Sequence, residues 1–405
     1  MTDPCYLVTM ITFASQALLV AVAILAVPST VFFVEIGAAV VLPKRRATAS
    51  IGGQRGRVAA LIPAHNEAEG LLPTLTDLKK QLREGDRLVV VADNCTDDTA
   101  SIAASAGAEV AIRHDLSKIG KGYALGWGIT YLASAPPDIV IVIDADCRIA
   151  PGSVDRLATL SAHTQRPAQS LYLMGAPDQS AINHQVAEFA WRVKNWVRPL
   201  GLDALGLPCQ LMGTGMAFPW GLIRSVDLSS AALVEDLKLG LDLASVGHAP
   251  IFCPSAVVSS TFPTSLEGSK AQRQRWEHGH MGLILTRSLP LLALSLKQRS
   301  LPLLSLVLDL LVPPLSLLIV IMMCVTTAGA LLAWSGFSSV SFLISLTCLS
   351  AVVFATILAW FKHARDILPP KALGLIPVYM LTKLRLYVSA LLGRKVSQWV
   401  RADRS

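Results

Sequence analysis

The sequence predicts an α/β protein with a mainly parallel sheet, helices on both its faces, and transmembrane and interfacial helices at its flanks. Two observations carry this. Residues 57–160 alternate short apolar runs with segments of helical spacing, the pattern of strands joined by helical crossovers in a sheet buried on both sides. The remaining apolar residues gather into long runs that are uncharged or nearly so. The 405-residue chain is 53% hydrophobic and 16% charged, against roughly 25% charged in an average soluble domain. The deficit is concentrated toward the two ends.

Taken in order, Tyr6 to Leu42 contains one acid, Glu35, and no base; Pro28 interrupts it and Lys44-Arg45-Arg46 closes it. The run exceeds the ~20 residues that cross a bilayer as a helix. Its bases follow the apolar core, the reverse of a secretory signal peptide. Residues 1–43 therefore read as a retained transmembrane anchor, kinked at Pro28, and residues 44–280 as the soluble domain. Residues 281–299 are apolar but broken by Arg287 and Pro290. Charge in mid-span is expensive, so an interfacial helix is expected there. Residues 300–362 hold two transmembrane helices, in the runs Leu303 to Leu332 and Val340 to Phe361. Residues 363–405, with Lys383 and Arg385 in mid-run, read as a C-terminal interfacial segment and basic tail.

Bases cluster beside the spans at 44–46, at Lys297 and Arg299, and at Lys362 and Arg365, while Ala333 to Ser339 carries no charge. Positive residues stay on the cytoplasmic side. An integral protein of a cell inner membrane follows, with an outside N-terminus and a cytoplasmic domain. The net charge of +7 and pI near 9.1 suit anionic membrane lipids. No nucleic-acid module accompanies the bases, so nucleic acid is not an expected partner. The seven cysteines are scattered without a Cys-x-x-Cys pair, which points to free thiols rather than a zinc site.

Within the soluble domain, "RVAALIP", "RLVVVAD", "AEVAIR" and "DIVIVIDAD" read as strands. Glu69 to Leu82, "DDTASIAASAG" and "GYALGWGITYLAS" read as the helices between them. Ligands of such sheets bind beyond the carboxyl ends of the strands. There the first strand runs into Pro63-Ala64-His65-Asn66-Glu67, the second into Asp93-Asn94, and the fourth into Asp144-Ala145-Asp146. One such cluster is an ordinary turn or helix cap; three on one edge mark a ligand site. Neither a Gly-x-Gly-x-x-Gly fingerprint nor a P-loop follows any strand. A carboxylate pair held at a strand end suits Mg2+ or Mn2+ shared with substrate phosphates. Asp146 is then the direct ligand and Asp144 the residue nearer the nucleoside, the two sharing a side if the extended geometry persists. Lys121, between two glycines ahead of a helix, can meet phosphate as a point charge.

"LIPAHNEAEG", "VVVADNCTDDTA", "GKGYAL" and "IVIDADC", in this order, resemble the nucleotide-sugar half of a family 2 inverting glycosyltransferase of GT-A fold. "LVEDLKLGLDLASVGH" and "QRQRW" resemble the catalytic half of its membrane-bound members. These include cellulose, chitin and hyaluronan synthases, ceramide glucosyltransferases and bacterial exopolysaccharide enzymes. The resemblance spans residues 57–280, and it implies roles. Pro63, Glu67, Asp93, Lys121 and Asp144 would bind the nucleotide sugar and Asp146 the metal. Asp236 would be the general base. Gln272, Arg275 and Trp276 would stand beside the acceptor and the departing diphosphate. Gly213 and Thr214 of "GTGMAF", with Glu235, would lie on the acceptor side. Ala92 stands where family members often carry an aspartate, and Val234 where many carry threonine.

The implied reaction moves a sugar from a nucleoside-diphosphate donor, UDP being the expected nucleotide, to a lipid-linked or glycan acceptor. Such an enzyme serves exopolysaccharide or glycolipid synthesis, with polysaccharide-assembly proteins as possible partners. Three spans favour single or limited additions over a processive synthase with its own channel. A membrane nucleotidyltransferase would share the Asp pair but would not need Asp236 or the Gln-x-x-Arg-Trp element. His65, His278 and His280 read as hydrogen-bonding wall residues. The segment Trp191 to Arg198 reads as amphipathic, lying on the membrane surface or bordering the acceptor site.

Overall fold

The computed structural model describes residues 4–43, 55–177, 182–228, 234–263 and 266–373. The basic cluster at 44–46 and most of the C-terminal interfacial segment, from residue 374 onward, lie outside the described residues.

The predicted alternation is present. Strand β1 (Val58–Ala64) is followed by α2 (Leu71–Lys79), β2 (Arg87–Asp93), α3 (Thr99–Ser105), β3 (Glu109–Arg113), α4 (Lys121–Leu132) and β4 (Ile139–Val142). These four strands are mutually parallel, with β1 between β2 and β4. A second set follows: β5 (Arg148–Ile149), β6 (Ala168–Gly175), β7 (Met216–Pro219), which runs into the one-turn helix α8 (Trp220–Ile223), and β8 (Ile251–Thr261). Together they form one eight-stranded sheet in the order β3-β2-β1-β4-β7-β6-β8-β5. β7 enters antiparallel to both β4 and β6. That reversal brings the second half of the chain beside the strand that ends at the aspartate pair.

Alternating side chains explain the two cores. Val58, Ala60 and Ile62 point to one face and pack with Leu71, Leu75 and Leu78 of α2 and Leu157 of α5 (Ser153–Thr164). Ala59 and Leu61 point to the other and meet Leu125 and Leu132 of α4, with Leu239 and Leu243 of α9 (Glu235–Ser245). Gly128 makes the close approach of α4 possible: a Cβ there would stand 2.5 Å from a methyl of Leu61.

Four described helices are long and apolar enough to cross a membrane, one more than the sequence predicts. They are Thr9–Val41 of α1 (Pro4–Val41), Gln274–Gln298 of α10 (Leu266–Gln298), α12 (Leu315–Trp334) and α13 (Val340–His363). Two boundaries differ from expectation. The interfacial helix expected to begin at residue 281 is the second half of the unbroken helix α10, which runs through Pro290. Arg287 is accommodated there because its guanidinium pairs with Asp242 of α9. The run Leu303 to Leu332 is not one helix but two, α11 (Leu301–Leu310) and α12, parted at Pro313-Pro314. A proline disfavours helical geometry in the residue before it, and two in succession end α11. Helix α1, by contrast, continues through Pro28.

Residues 182–204 form one helical stretch, α6 (Ile182–Arg192), a π-helical turn (Val193–Val197) and α7 (Arg198–Ala204). It joins the sheet to the long apolar helices. Val193 and Val197 are buried with Phe32 and Ile36 of α1 and Val352 and Ala355 of α13. Arg198 is 6% exposed, and its Nε donates to Glu35 of α1 at 2.5 Å while Nη2 donates to Asp309 of α11 at 2.5 Å. At Gly201 of α7 a Cβ would stand 1.8 Å from the backbone oxygen of Glu35. Gly201→Ala must push α1 and α7 apart. We expect it to destabilise the protein by about 1–3 kcal/mol, the usual range for overpacking, read as a lower midpoint of thermal unfolding in detergent.

Candidate active site

The site lies where β1, β2 and β4 end. Past β1 the backbone turns at Asn66, at φ 54°, a left-handed geometry that asparagine tolerates. Asn66 Oδ1 accepts the amide of Thr96 at 2.8 Å, and the Glu67 amide donates to Thr99 Oγ1 at 2.8 Å. These bonds present Glu67 at the strand edge. Asp93 closes β2, 6% exposed, and accepts from Arg113 Nη1 at 2.5 Å and Asn94 Nδ2 at 3.1 Å. Arg113 is a residue that sequence reasoning missed. The signal for it was an arginine ending the neighbouring strand, in register with Asp93. His65 Nδ1 donates to the Asp93 carbonyl at 2.7 Å, the wall role expected of it.

Strand geometry stops at Val142, so Asp144 and Asp146 stand on a turn, where the Cys147 amide donates to the Asp144 carbonyl at 3.2 Å. Their convergence does not come from strand alternation. The Thr74 hydroxyl, 2.7 Å from the carbonyls of both Ala145 and Cys147, pins this turn from below. The Asp144 amide donates to Thr214 Oγ1 at 3.0 Å. Ligand atoms of Asp144, Asp146 and Cys147 lie within 4.8 Å of one another. Burial, and next the charge of Asp144, push the Cys147 thiol up to about 12, so it stays a neutral thiol. Two carboxylate oxygens remain, the donor set a hard divalent cation takes. The residues fit Mg2+ or Mn2+.

Lys121 opens α4 and its Nζ donates to Asp144 and, at 2.8 Å, to the Gly213 carbonyl. Burial pulls its pKa down, but Asp144 and Glu235 outweigh that and hold it above the ordinary value. Gly213 is at φ 91°; a Cβ there would lie 3.3 Å from Asp236 Oδ2 and 3.8 Å from Lys121 Nζ. A side chain at this position would crowd the space that Asp236 and Lys121 share.

Glu235 and Asp236 occupy the first turn of α9, where acids complement the helix dipole. Burial raises the Asp236 carboxyl above its usual range, with Lys121 the main opposing charge. Burial and then Asp236 raise Glu235. Across from them, Gln272, Arg275 and Trp276 share one face of α10, three and four residues apart. The Trp276 ring centroid is 5.0 Å from that of Trp191, and Trp191 Nε1 donates to the Tyr172 carbonyl at 3.0 Å. Arg275 Nε is buried without a hydrogen-bond partner.

All these elements open on one cavity of about 700 Å³. Pro63, Glu67, Asp93, Lys121, Asp144 and Asp146 line it, together with Gly213, Glu235, Asp236, Gln272, Arg275 and Trp276. Thr214 is not brought to the surface of the cavity. It is fully buried, its hydroxyl supporting Asp144 from beneath. His280 lines the cavity and its Nε2 donates to the Leu310 carbonyl at 2.9 Å. Sequence reasoning named neither Gln210 nor Asp309, which also line it, and it left the 191–198 segment between two placements. Trp191, Lys194, Asn195 and Arg198 all border the cavity.

Three comparisons agree with this geometry. The family model described as "Glycosyltransferase like family 2" matches residues 55–279, more than half of the chain. An uncharacterized glycosyltransferase of Mycobacterium tuberculosis is 35% identical over 122 residues, 28% of this chain and 51% of that protein. The probable glycosyltransferase YdaM of Bacillus subtilis is 25% identical over 261 residues, 56% of each chain. This chain thus spans about half the length of the curated relatives it matches. Among solved structures, the mannosyltransferase PcManGT of Pyrobaculum calidifontis, in complex with GDP-Man and Mn2+, superposes with a TM-score of 0.53. It is 17% identical, with 87% of this chain and 99% of that one covered, a likeness of fold. The protein belongs to glycosyltransferase family 2 and has a fold of the GT-A type.

Proposed function

We propose that this enzyme is an inverting hexosyltransferase that moves a sugar from a nucleoside-diphosphate donor to a membrane-associated acceptor, in glycolipid or exopolysaccharide synthesis. One observation carries the reading. A single cavity joins the strand-edge carboxylates and Lys121 to Asp236 and to the Gln272–Trp276 face.

Each set of residues has its task. Glu67 and Asp93 hold the nucleoside, Asp93 kept in place by Arg113. Asp146, with Asp144, is the place for Mg2+ or Mn2+, which supplies positive charge to the diphosphate. Lys121 and Arg275 add fixed charge where the leaving group becomes more negative. Asp236 takes the proton from the acceptor hydroxyl as that oxygen bonds to the anomeric carbon. The nucleoside diphosphate leaves from the opposite face, and the configuration inverts. A structural relative's binding of GDP-Man with Mn2+ widens the donor panel beyond UDP-sugars. The test is to supply membranes containing the protein with labelled UDP- and GDP-sugars and extract them. Label should enter lipid or polymer from one donor; none from any donor overturns the reading.

The orientation is a cytoplasmic catalytic domain with the α12–α13 loop outside. In a Ser338→Cys variant stripped of native cysteines, we expect an impermeant thiol reagent to label intact cells at that position. Labelling only after lysis reverses the orientation.

A further inference from the structure

Beyond the residues given to the nucleotide sugar, the cavity has a second part with a chemistry of its own. That part, the acceptor lobe, is the portion lined by Lys194, Asn195, Arg198 and Gln210 and by Asp309 and Leu310 of α11, in the same cavity as Asp236. In a regular α-helix one face carries every third or fourth residue. The π-helical turn Val193–Val197 widens the local spacing, and Lys194 and Asn195 both line the cavity. Such turns recur at functional sites.

Lys194 is the unusual member. It is exposed, and the space it is exposed to is this cavity. Yet it lies deep enough among protein atoms that burial lowers its pKa, with Asp236 the foremost charge acting against that fall. Arg198, one turn on, is committed to Glu35 and Asp309. Lys121 is committed to Asp144. Among the described residues Lys194 makes no ion pair. Beside it Asn195 is 3% exposed and its Nδ2 donor finds no hydrogen-bond partner, as is true of Arg275 Nε on the facing helix. Lys194 thus faces the cavity without a salt-bridge partner, beside an asparagine donor that has none either, and leaving such groups unmatched is costly.

We infer that the acceptor carries an anionic group, a phosphate, held by Lys194 and Asn195 while its hydroxyl lies at Asp236. This rests on the transferase reading above. Asp309 and Leu310 of α11 line the cavity on an element packed against the apolar helices α1 and α10, which gives a phospholipid head group a route in; a soluble phosphate ester offers the same chemistry.

The test uses the full chain in nanodiscs and a labelled donor that the parent turns over. Acceptors are phosphatidylglycerol, the uncharged lipid diacylglycerol, and soluble glycerol 3-phosphate. We expect the parent to prefer a phosphorylated acceptor. In Lys194→Gln the KM for that acceptor should rise about 10- to 100-fold, the scale of one charge-assisted hydrogen bond, with the donor KM unchanged. Lys194→Arg should restore most of the affinity. Label in the organic extract assigns the phosphate to a lipid, and label in the aqueous phase to a soluble ester; either supports the assignment. Preference for diacylglycerol overturns it, as does a Lys194→Gln variant with unchanged acceptor KM or one that loses all acceptors and donor binding equally. A parent that turns over no nucleotide sugar overturns the transferase reading itself, and the acceptor assignment with it.

Discussion

Asp236→Asn is expected to lower turnover by about 10²–10⁴-fold, the usual share of a positioned general base, while leaving donor affinity nearly unchanged. The substitution keeps the size of the side chain and removes its capacity to accept a proton. The donor contacts proposed above belong to other side chains, Asp93, Lys121 and Asp146, so nucleotide binding should survive. The measurement pairs sugar transfer with nucleotide affinity by calorimetry. A variant that transfers at the parent rate, or loses donor binding in step with activity, removes Asp236 from the role of base. A pH dependence goes with this. Burial raises the carboxyls of Asp236 and Glu235, so they take up protons at a higher pH than an ordinary carboxylate. The parent's rate should therefore fall on the acid side earlier than an unshifted aspartate would allow.

Asp146→Asn is expected to reduce transfer by about 10²–10³-fold, comparable to removing one preorganised charge-stabilising group. Its signature differs from that of Asp236→Asn. Mn2+ binding in the presence of nucleoside diphosphate, followed by electron paramagnetic resonance, should weaken in Asp146→Asn and persist in Asp236→Asn. Parent activity should vanish in chelator and return with Mg2+ or Mn2+. Full activity of Asp146→Asn in chelator would show that no metal acts at this position.

The strand-edge half of the site was legible because local sequence determines it. An apolar run ending in a polar cluster marks a strand end, and three parallel strands place their clusters side by side. Asp144 and Asp146 illustrate a right placement with a different cause: they converge through a turn pinned by Thr74 and Thr214, contacts separated by about seventy residues in sequence. Arg113 was readable in principle from the register of β2 and β3, but register does not appear in a single strand. The second lobe was less accessible to sequence reading. Lys194 and Arg198 look like the polar face of an amphipathic helix, and only the packing of that helix between α1 and α13 turns the face inward. Arg287 misled for the same reason. Its charge argued against a long apolar helix until Asp242, from a different element, came to meet it.

The ion pairs at Arg198 bear on what the enzyme is. Both counter-ions of this buried guanidinium come from outside the family-matched region 55–279: Glu35 before it and Asp309 after it. Stripping one partner from a buried pair costs about 3–5 kcal/mol, a large part of a typical domain's stability. A fragment cut at the family boundaries would keep the arginine and lose both acids, and this wall of the cavity would collapse or flood. The apolar helices α1 and α11 are therefore masonry of the chamber rather than an appendage to it.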